Sequence, residues 1–201
     1  MIKVGAAAVA VFAAMALAAP AHAGILDNVQ IKFGVSGVLP DEKGDPIDVD
    51  ISDEWVPSAQ IEYFFTDNIS AELLCCVATH DVTAAGGAVD LGEVTHFPPT
   101  VTLKYRWTNF GQFEPYVGAG VNYTAFIDSD PPAGLSVDYD DSFGPALQLG
   151  FDYRLDEHWG VNFDVRRIWI NTDVTISGAV NATDDVDINP WVLSTSVAYR
   201  F

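Results

Sequence analysis

The residues of this sequence that could do chemistry are charged side chains set at alternate positions of extended segments. One face of these segments collects the bases Lys32, Lys104, Arg106, Arg154, Arg166 and Arg200 and the acids Glu62, Glu72, Glu114, Asp152 and Asp164. Charges confined in a narrow interior are costly unless they pair. The pattern therefore predicts a buried network of ion pairs that plugs the end of the molecule where the connecting turns are short.

The same residues offer a weak case for catalysis. Glu62 and Glu72 form a candidate carboxylate pair, but ion pairing with Lys32 and Lys104 explains them more simply. Ser, His and Asp residues occur without a G-x-S-x-G motif, and phosphate-binding loops are absent from the sequence. We expect no enzyme and no cofactor.

Histidine and cysteine give an equally weak signal for a metal site. His80 and His96 face each other across a predicted hairpin, but two imidazoles without a third ligand seldom make a metal centre. Cys75 and Cys76 are adjacent, and neighbouring strand residues point to opposite faces. We interpret them as small apolar fillers and expect no bound metal.

The elements that must position these side chains are strands. Large apolar residues alternate with small or polar ones in eight segments, 29–39, 55–65, 69–80, 94–107, 113–127, 142–155, 158–175 and 191–201. The connections between them alternate long and short, as an up-and-down barrel requires. The sequence therefore predicts an all-β fold, an eight-stranded antiparallel transmembrane β-barrel.

The amino terminus reads as an export signal. Lys3 is followed by an apolar stretch over 4–19 and by the small-x-small sequence Ala21-His22-Ala23. We predict a signal peptide over residues 1–23, removed before Gly24, and a barrel over 24–201. Export together with a barrel pattern predicts the bacterial outer membrane.

Net charge is −19, and the acidic residues crowd into four stretches, 40–54, 81–93, 128–141 and 184–187. Their Gly, Pro and Asp content predicts loops. Such loops repel phosphates, so nucleic acid is excluded as a partner. They are either simply solvated or hold divalent cations that bridge to lipopolysaccharide phosphates, and the sequence leaves both interpretations open.

Apolar residues take the inward positions above the charges. By parity, the candidates for an apolar lumen path are Val38, Leu74, Cys76, Phe126 and Ile168. Pro98 and Pro99 interrupt a strand beside this path, and proline donates no ladder hydrogen bond. The pair predicts either a lateral opening in the wall or a bulge that only curves it.

Several stretches resemble the OmpW family of small outer-membrane barrels, which has AlkL-like members. They are TDNISAELL at 66–74, HFPPT at 96–100, FEPYVGAGVNYT at 113–124 and the carboxy-terminal stretch 189–201. The resemblance implies a barrel whose outer half encloses an apolar pocket, blocked below, from which small hydrophobic molecules leave sideways near Pro98 and Pro99. The adjacent cysteines and Pro131-Pro132 depart from the family pattern.

The expected function is passive passage of small hydrophobic molecules by lateral exit from the barrel wall. Alternatives are a structural or interaction barrel that presents acidic loops, for envelope stability, adhesion or a receptor role, and a narrow ion channel. The expected partners are outer-membrane lipid, lipopolysaccharide, hydrophobic solutes, and the barrel-assembly machinery through the carboxy-terminal Phe201.

Overall fold

The structure is a computed structural model that describes residues 24–41, 43–45, 49–178 and 181–201. The predicted signal peptide lies outside these residues, so its cleavage stays a prediction. A short 3-10 helix, Ile25–Asn28, precedes the strands β1 (Val29–Leu39), β2 (Lys43–Asp45), β3 (Val49–Ile51), β4 (Glu54–Phe64), β5 (Ile69–Cys76), β6 (Ala78–Ala84), β7 (Val89–Phe97), β8 (Thr100–Arg106), β9 (Phe113–Asp130), β10 (Leu135–Tyr139), β11 (Ser142–Arg154), β12 (Trp159–Ile168), β13 (Asn171–Gly178), β14 (Ala182–Asp187) and β15 (Trp191–Arg200). No helix of this described part has the length and hydropathy to cross a membrane.

Eight antiparallel strands close on themselves. Their order is β11-β12-β15-β1-β4-β5-β8-β9, and β9 pairs back with β11. The first and last barrel strands are neighbours, in register from Gln30 opposite Arg200 to Leu39 opposite Trp191. Closure leaves the ring without an edge strand. The predicted eight-stranded antiparallel barrel is confirmed.

Side chains alternate between the two faces of the barrel wall. On β1, Lys32 is fully buried while the adjacent Phe33 is 62% exposed. On β8, Leu103 is 56% exposed and Lys104 only 1%. Large apolar groups outside and charged groups inside reverse the arrangement of a water-soluble sheet, and they suit an outer face that meets lipid.

Aromatic rings gather where the strands reach the short turns and the carboxy terminus. Trp159 and Phe201 pack edge-on against Tyr199, with ring centroids 4.9 and 5.0 Å away. Tyr105 and Trp107 make a similar pair at 5.2 Å. Rows of aromatics at one height are typical of the interfacial girdle of a membrane barrel.

One short turn is fixed by the carboxylate of Asp156. Its Oδ1 accepts hydrogen bonds from the backbone amides of Trp159, at 2.8 Å, and His158, at 2.9 Å. These amide bonds, that of Trp159 first, lower the pKa of Asp156 below its usual range. The turn between β11 and β12 is therefore tied down by an ionised side chain.

Glycine allows the closest approach of strands in this narrow barrel. A Cβ on Gly120 would collide with the carbonyl oxygen of Val101 on β8, and a Cβ on Gly34 with that of Thr195 on β15. Because the obstructing atoms belong to the backbone, no side-chain rotation relieves the collision. Larger residues at these two positions would force the strands apart.

Three predicted strands are interrupted. The segment 69–80 is divided at Val77 into β5 and β6, and the segment 94–107 at Pro98 and Pro99 into β7 and β8. The segment 158–175 is divided at Trp169 and Ile170 into β12 and β13. The prolines account for the second break, since neither can donate a ladder hydrogen bond.

The prediction that the four acidic stretches are loops is wrong for most of their length. They contain β2, β3 and β10 and parts of β6, β7, β9 and β14. The few apolar residues in these stretches alternate with acids and lie on one face. With residues of β13 and Val94 of β7 they form a core of Val49, Val82, Ala84, Leu91, Val94, Val137, Val174, Ile176 and Val186. We call β2, β3, β6, β7, β10, β13, β14 and the end of β9 the outer extension. The high content of acidic residues in these stretches hides the alternation of apolar and polar residues that marks a strand.

Candidate functional site

Two carboxylates and two ammonium groups occupy the centre of the lumen. Glu62 on β4 and Glu72 on β5 are direct cross-strand partners. Lys32 Nζ lies 2.7 Å from Glu62 Oε2 and 2.5 Å from Glu72 Oε2. Lys104 Nζ lies 3.0 and 2.9 Å from the same two oxygens. All four side chains are completely buried, and the shared cations offset the repulsion between the carboxylates.

Arg106 extends the network toward the short-turn end. It donates to Glu62 Oε1 and Glu114 Oε2, each at 2.9 Å, and pairs with Asp152. Glu114 also pairs with Arg154 at 2.9 Å, and the Arg154 side chain is half exposed. Arg154 is therefore the edge of the network, where it meets water.

Arg166 extends the network toward the opposite wall. Arg166 Nη2 donates to Glu72 Oε1 at 2.6 Å, and Arg166 Nη1 lies 3.3 Å from Asp164 Oδ1. Gln148 donates to the same Glu72 oxygen at 2.9 Å. We call the buried set the ion-pair plug; it consists of Lys32, Glu62, Glu72, Lys104, Arg106, Glu114, Asp152, Asp164 and Arg166.

Tyr116 stands within the plug and was missed by the sequence analysis. Lys104 Nζ lies 3.7 Å from the centroid of its ring, and Asn162 donates to its hydroxyl at 2.8 Å. Tyr116 shares the parity of Glu114 on β9, so alternation could have placed it in the lumen. The ring fills the plug and stabilises a buried ammonium group through its face.

Arg200 lies apart from the plug, although its parity grouped it there. Its guanidinium carbon is 3.8 Å from the centroid of the Phe64 ring, and none of the ion pairs among the described residues includes it. Arg200 therefore covers an aromatic ring near the carboxy terminus. It takes no part in the buried network.

A layer of apolar side chains seals the lumen directly above the ions. Leu74, Ala146, Ile168, Ile170 and Val192 pack into one buried cluster, which we call the apolar layer. Leu74 and Ile168 were expected to line an apolar path. The structure instead packs both into this layer, where they exclude water from the plug below.

Two narrow clefts lie above the apolar layer. The lower cleft, with a cavity volume of about 20 Å³, is lined in part by Val38, His80, His96, Thr124, Phe126 and Ile170. The upper cleft, within the outer extension, has a cavity volume of about 20 Å³, so a solute enters it only as its walls move apart, and it is lined in part by Val82, Leu91, Phe126, Val174, Asp184 and Val186. Phe126 borders both clefts, and Val38 borders the lower one.

The two histidines meet in the lower cleft. Their rings stack with centroids 5.0 Å apart, and His80 Nδ1 donates to the backbone oxygen of Ser52 at 2.6 Å. This bond leaves Nε2 of His80 as an acceptor, and Nε2 is buried without a hydrogen-bond partner in the described chain. No cluster of three or more metal-ligating side chains occurs within the described ranges.

The barrel wall is broken at the height of the lower cleft. Pairing of β5 with β8 ends at Leu74 opposite Thr100, and pairing of β6 with β7 begins at Ala78 opposite His96. Residues 75–77 therefore face residues 97–99 without ladder pairs. We call this gap the wall break.

Asn122 holds the proline side of the wall break. It is fully buried on β9, and its Nδ2 donates to the backbone oxygen of Pro98 at 3.1 Å and to Thr100 Oγ1 at 2.9 Å. Thr124 in turn donates to Asn122 Oδ1 at 2.7 Å. These side-chain bonds hold a segment that lacks strand pairing of its own.

An open groove runs along the outer wall at the break. It is lined by the outward residues Phe33, Pro57, Ala59, Cys75, Val77 and Phe97, with Ser58 and Cys76 beside them, and its empty volume is about 750 Å³ including the open side. Ser58 and Cys76 are buried cross-strand partners. The groove therefore reaches from the outer face of the barrel to inward-facing side chains.

Known proteins resemble this chain in sequence and in architecture. The sequence profile of the OmpW family matches residues 22–201. The chain is 41% identical to the uncharacterized outer-membrane protein y4mB of Sinorhizobium fredii, over 91% of this chain and 85% of that protein. The crystal structure of outer membrane protein OprG from Pseudomonas aeruginosa superimposes with a TM-score of 0.81, at 31% identity, over 86% of this chain and 95% of that one. The structure of outer membrane protein AlkL in lipid bilayers superimposes with a TM-score of 0.71, also at 31% identity, over 90% and 94%. The chain belongs to the OmpW family of β-barrel proteins of the bacterial outer membrane.

Proposed function

We propose that this barrel passes small hydrophobic molecules from the outside of the cell into the outer membrane and releases them sideways at the wall break. The observation that carries the proposal is the order of the layers. Apolar clefts lie above a sealed floor, and the wall is interrupted at the height of the lower cleft. The function needs no catalysis.

Passage straight down the lumen would be expensive for an apolar solute. It would have to part the apolar layer and then the plug, where Glu62 and Glu72 each contact Lys32 and Lys104 at 2.5–3.0 Å. Separating one partner from a buried ion pair costs about 3–5 kcal/mol. The same packing argues against the alternative of an ion channel, since ions would meet the same barrier.

Sideways release needs far less rearrangement. Residues 75–77 and 97–99 share no ladder hydrogen bonds, so widening the gap between them breaks none. Outside the gap lies the apolar groove with Phe33, Val77 and Phe97, which faces lipid in an outer-membrane barrel. The free energy of a hydrophobic solute falls as it leaves water for the clefts, this groove and the acyl chains beyond it.

Restoring the wall tests the proposal. In cells that lack the native protein, we would express the chain with Pro98→Val and Pro99→Val together and measure entry of a fluorescent hydrophobic dye. Residues able to donate ladder hydrogen bonds should let β7 and β8 continue as one strand and lower entry severalfold. Pro145→Val is the matched control, because Pro145 lies in the wall on β11, away from the break.

Entry unaffected by the double substitution, with the variant folded and present at normal levels, contradicts lateral release. Equal dye entry with and without the protein contradicts transport altogether. That second result would favour the alternative of a barrel that presents acidic surface strands to a partner, and exchange of the outer extension should then abolish the partner's binding.

A further inference from the structure

We propose that the upper cleft binds apolar molecules that carry one ammonium group, and that Asp184 receives this group. The inference rests on the proposed function, since it names the class of solute that the outer end of the path selects. It is carried by a buried carboxylate that the protein leaves without a partner.

Asp184 lies on β14 and is only 4% exposed. Both of its carboxylate oxygens are buried, and neither has a hydrogen-bond partner among the described residues. Its neighbours in the cleft are apolar and include Val174, Ile176 and Val186. The side chain therefore faces a cavity lined almost entirely by hydrocarbon.

The protein treats its other acids differently. Glu62 and Glu72 in the plug each contact two or more cationic groups, and Asp185 and Asp187 on β14 itself are exposed and accept hydrogen bonds from Asn171. A buried acid without a partner costs free energy that folding alone does not recover. We therefore expect a hydrogen-bond donor on a bound molecule to pair with the Asp184 carboxylate.

The rest of the cleft suits an ammonium group with an alkyl or aryl body. Phe126 and Tyr139 stack in the same cleft, with ring centroids 5.3 Å apart, and aromatic faces attract cations. Ca²⁺ or Mg²⁺ fits poorly, because each requires about six oxygen ligands, and the described residues that line the cleft include no histidine or cysteine for zinc. The nearby hydroxyl of Thr172 already donates to the backbone oxygen of Asp140 at 2.6 Å.

Charge at the entrance selects the same class of molecule. The outer extension exposes Asp128, Asp130, Asp138, Asp140, Asp141, Asp173, Asp185 and Asp187. An acidic rim raises the local concentration of cations and repels anions. Alkylammonium compounds should therefore reach the cleft more readily than carboxylates with the same chain.

Calorimetric titration of the barrel in phosphatidylcholine nanodiscs would test the site, with n-octylammonium and n-octanol as probes and empty nanodiscs subtracted. We expect Asp184→Asn to weaken octylammonium binding by roughly tenfold to a hundredfold, as loss of a charge-assisted hydrogen bond implies. Octanol binding should change less than about threefold, because it loses no ionic partner. Asp67→Asn is the matched control, since it removes one exposed carboxylate from the short turn between β4 and β5, at the opposite end of the barrel from the acidic rim, and should leave both affinities unchanged.

Equal binding of octylammonium to the native chain and to Asp184→Asn overturns the inference. A second measurement covers a variant that does not fold: in the native barrel, nuclear Overhauser contacts should join the octyl chain to the methyl groups of Val174, Ile176 or Val186, and their absence also overturns it. The two proposals fail separately. Entry of a neutral dye through the wall break does not depend on Asp184, and octylammonium binding does not depend on Pro98 or Pro99.

Discussion

Deleting one cation from the ion-pair plug should destabilise the barrel far more than deleting a partly buried cation outside the plug. Lys32 contacts Glu62 at 2.7 Å, Glu72 at 2.5 Å and Asp152 at 3.8 Å, and its side chain is completely buried. Lys32→Met leaves Lys104 alone to bridge Glu62 and Glu72. Removal of one partner from a buried ion network costs about 3–5 kcal/mol, and we expect the free energy of unfolding to fall by that amount.

A double substitution separates charge imbalance from lost packing. The native plug holds five acids against four bases, with Arg154 at its edge. Lys32→Met leaves five acids against three bases, and the further substitution Glu72→Gln leaves four acids against three bases, which restores the native excess of one acid. The double variant should therefore recover at least half of the lost stability. Equilibrium unfolding in urea, in detergent micelles and followed by tryptophan fluorescence, measures both changes.

Arg167→Met is the matched control for the plug. Arg167 pairs at 2.7 Å with Asp41, which is exposed, and its guanidinium carbon lies 5.0 Å from the centroid of the Trp191 ring, so loss of both contacts should cost about 1–2 kcal/mol. Two results would refute the reasoning. The first is a cost for Lys32→Met as small as that for Arg167→Met, and the second is a double variant less stable than the single one.

Further outcomes follow from the wall, the break and the turn. Gly120→Val should destabilise the barrel by at least about 2 kcal/mol in the same unfolding assay, because the new side chain meets backbone on β8. Asn122→Ala should cost about 1–3 kcal/mol and increase dye entry, since it releases the proline segment. With Cys76→Ser as background, alkylation by N-benzylmaleimide of Cys75, which is partly exposed and lines the outer groove, should lower dye entry, and a Cys75→Ser barrel should not respond. Asp156→Ala should lower the free energy of unfolding at neutral pH but not in strong acid. Because the pKa of Asp156 is lowered in the folded barrel, its ionised side chain stabilises the fold fully above the usual aspartate pKa, and this stabilisation is lost as pH falls through the pKa of Asp156 in the folded barrel.

Much of the barrel could be predicted because one physical rule governs its wall. A strand between lipid and a narrow lumen alternates along most of its length, so parity alone places Lys32, Glu62, Glu72, Lys104 and the other plug residues on one face. Arg200 lies on the lumen face that its parity predicts, but it takes part in none of the ion pairs found among the described residues. Its place at the end of β15 puts it beside Phe64 and away from the buried carboxylates, a matter of height that parity does not encode.

The outer extension could not be predicted by the same means, because the rule weakens where strands leave the membrane. Apolar residues there occur singly between acids, as Val186 does between Asp185 and Asp187. Each contributes little to a local pattern, and their common core appears only when β3, β6, β7, β10, β13 and β14 are brought together. Asp184 was hidden for the same reason, as one more acid in a stretch interpreted as solvated.

The length of β9 below Asn122 places the wall break near the outer limit of the apolar band of the membrane. From Phe113 to Asn122 the chain advances nine steps, which at roughly 3.3 Å per residue and a tilt of about 40° raises Asn122 about 23 Å above the short-turn end. The apolar band of such barrels is about 25 Å tall, so Asn122 and the prolines it holds stand near the outer limit of the hydrocarbon. Phe126 and the rest of β9 continue above that limit, into the outer extension. A solute entering the clefts from water would therefore reach the break just as acyl chains become available outside it, whereas a break several residues lower would open behind the apolar layer, where no solute could reach it.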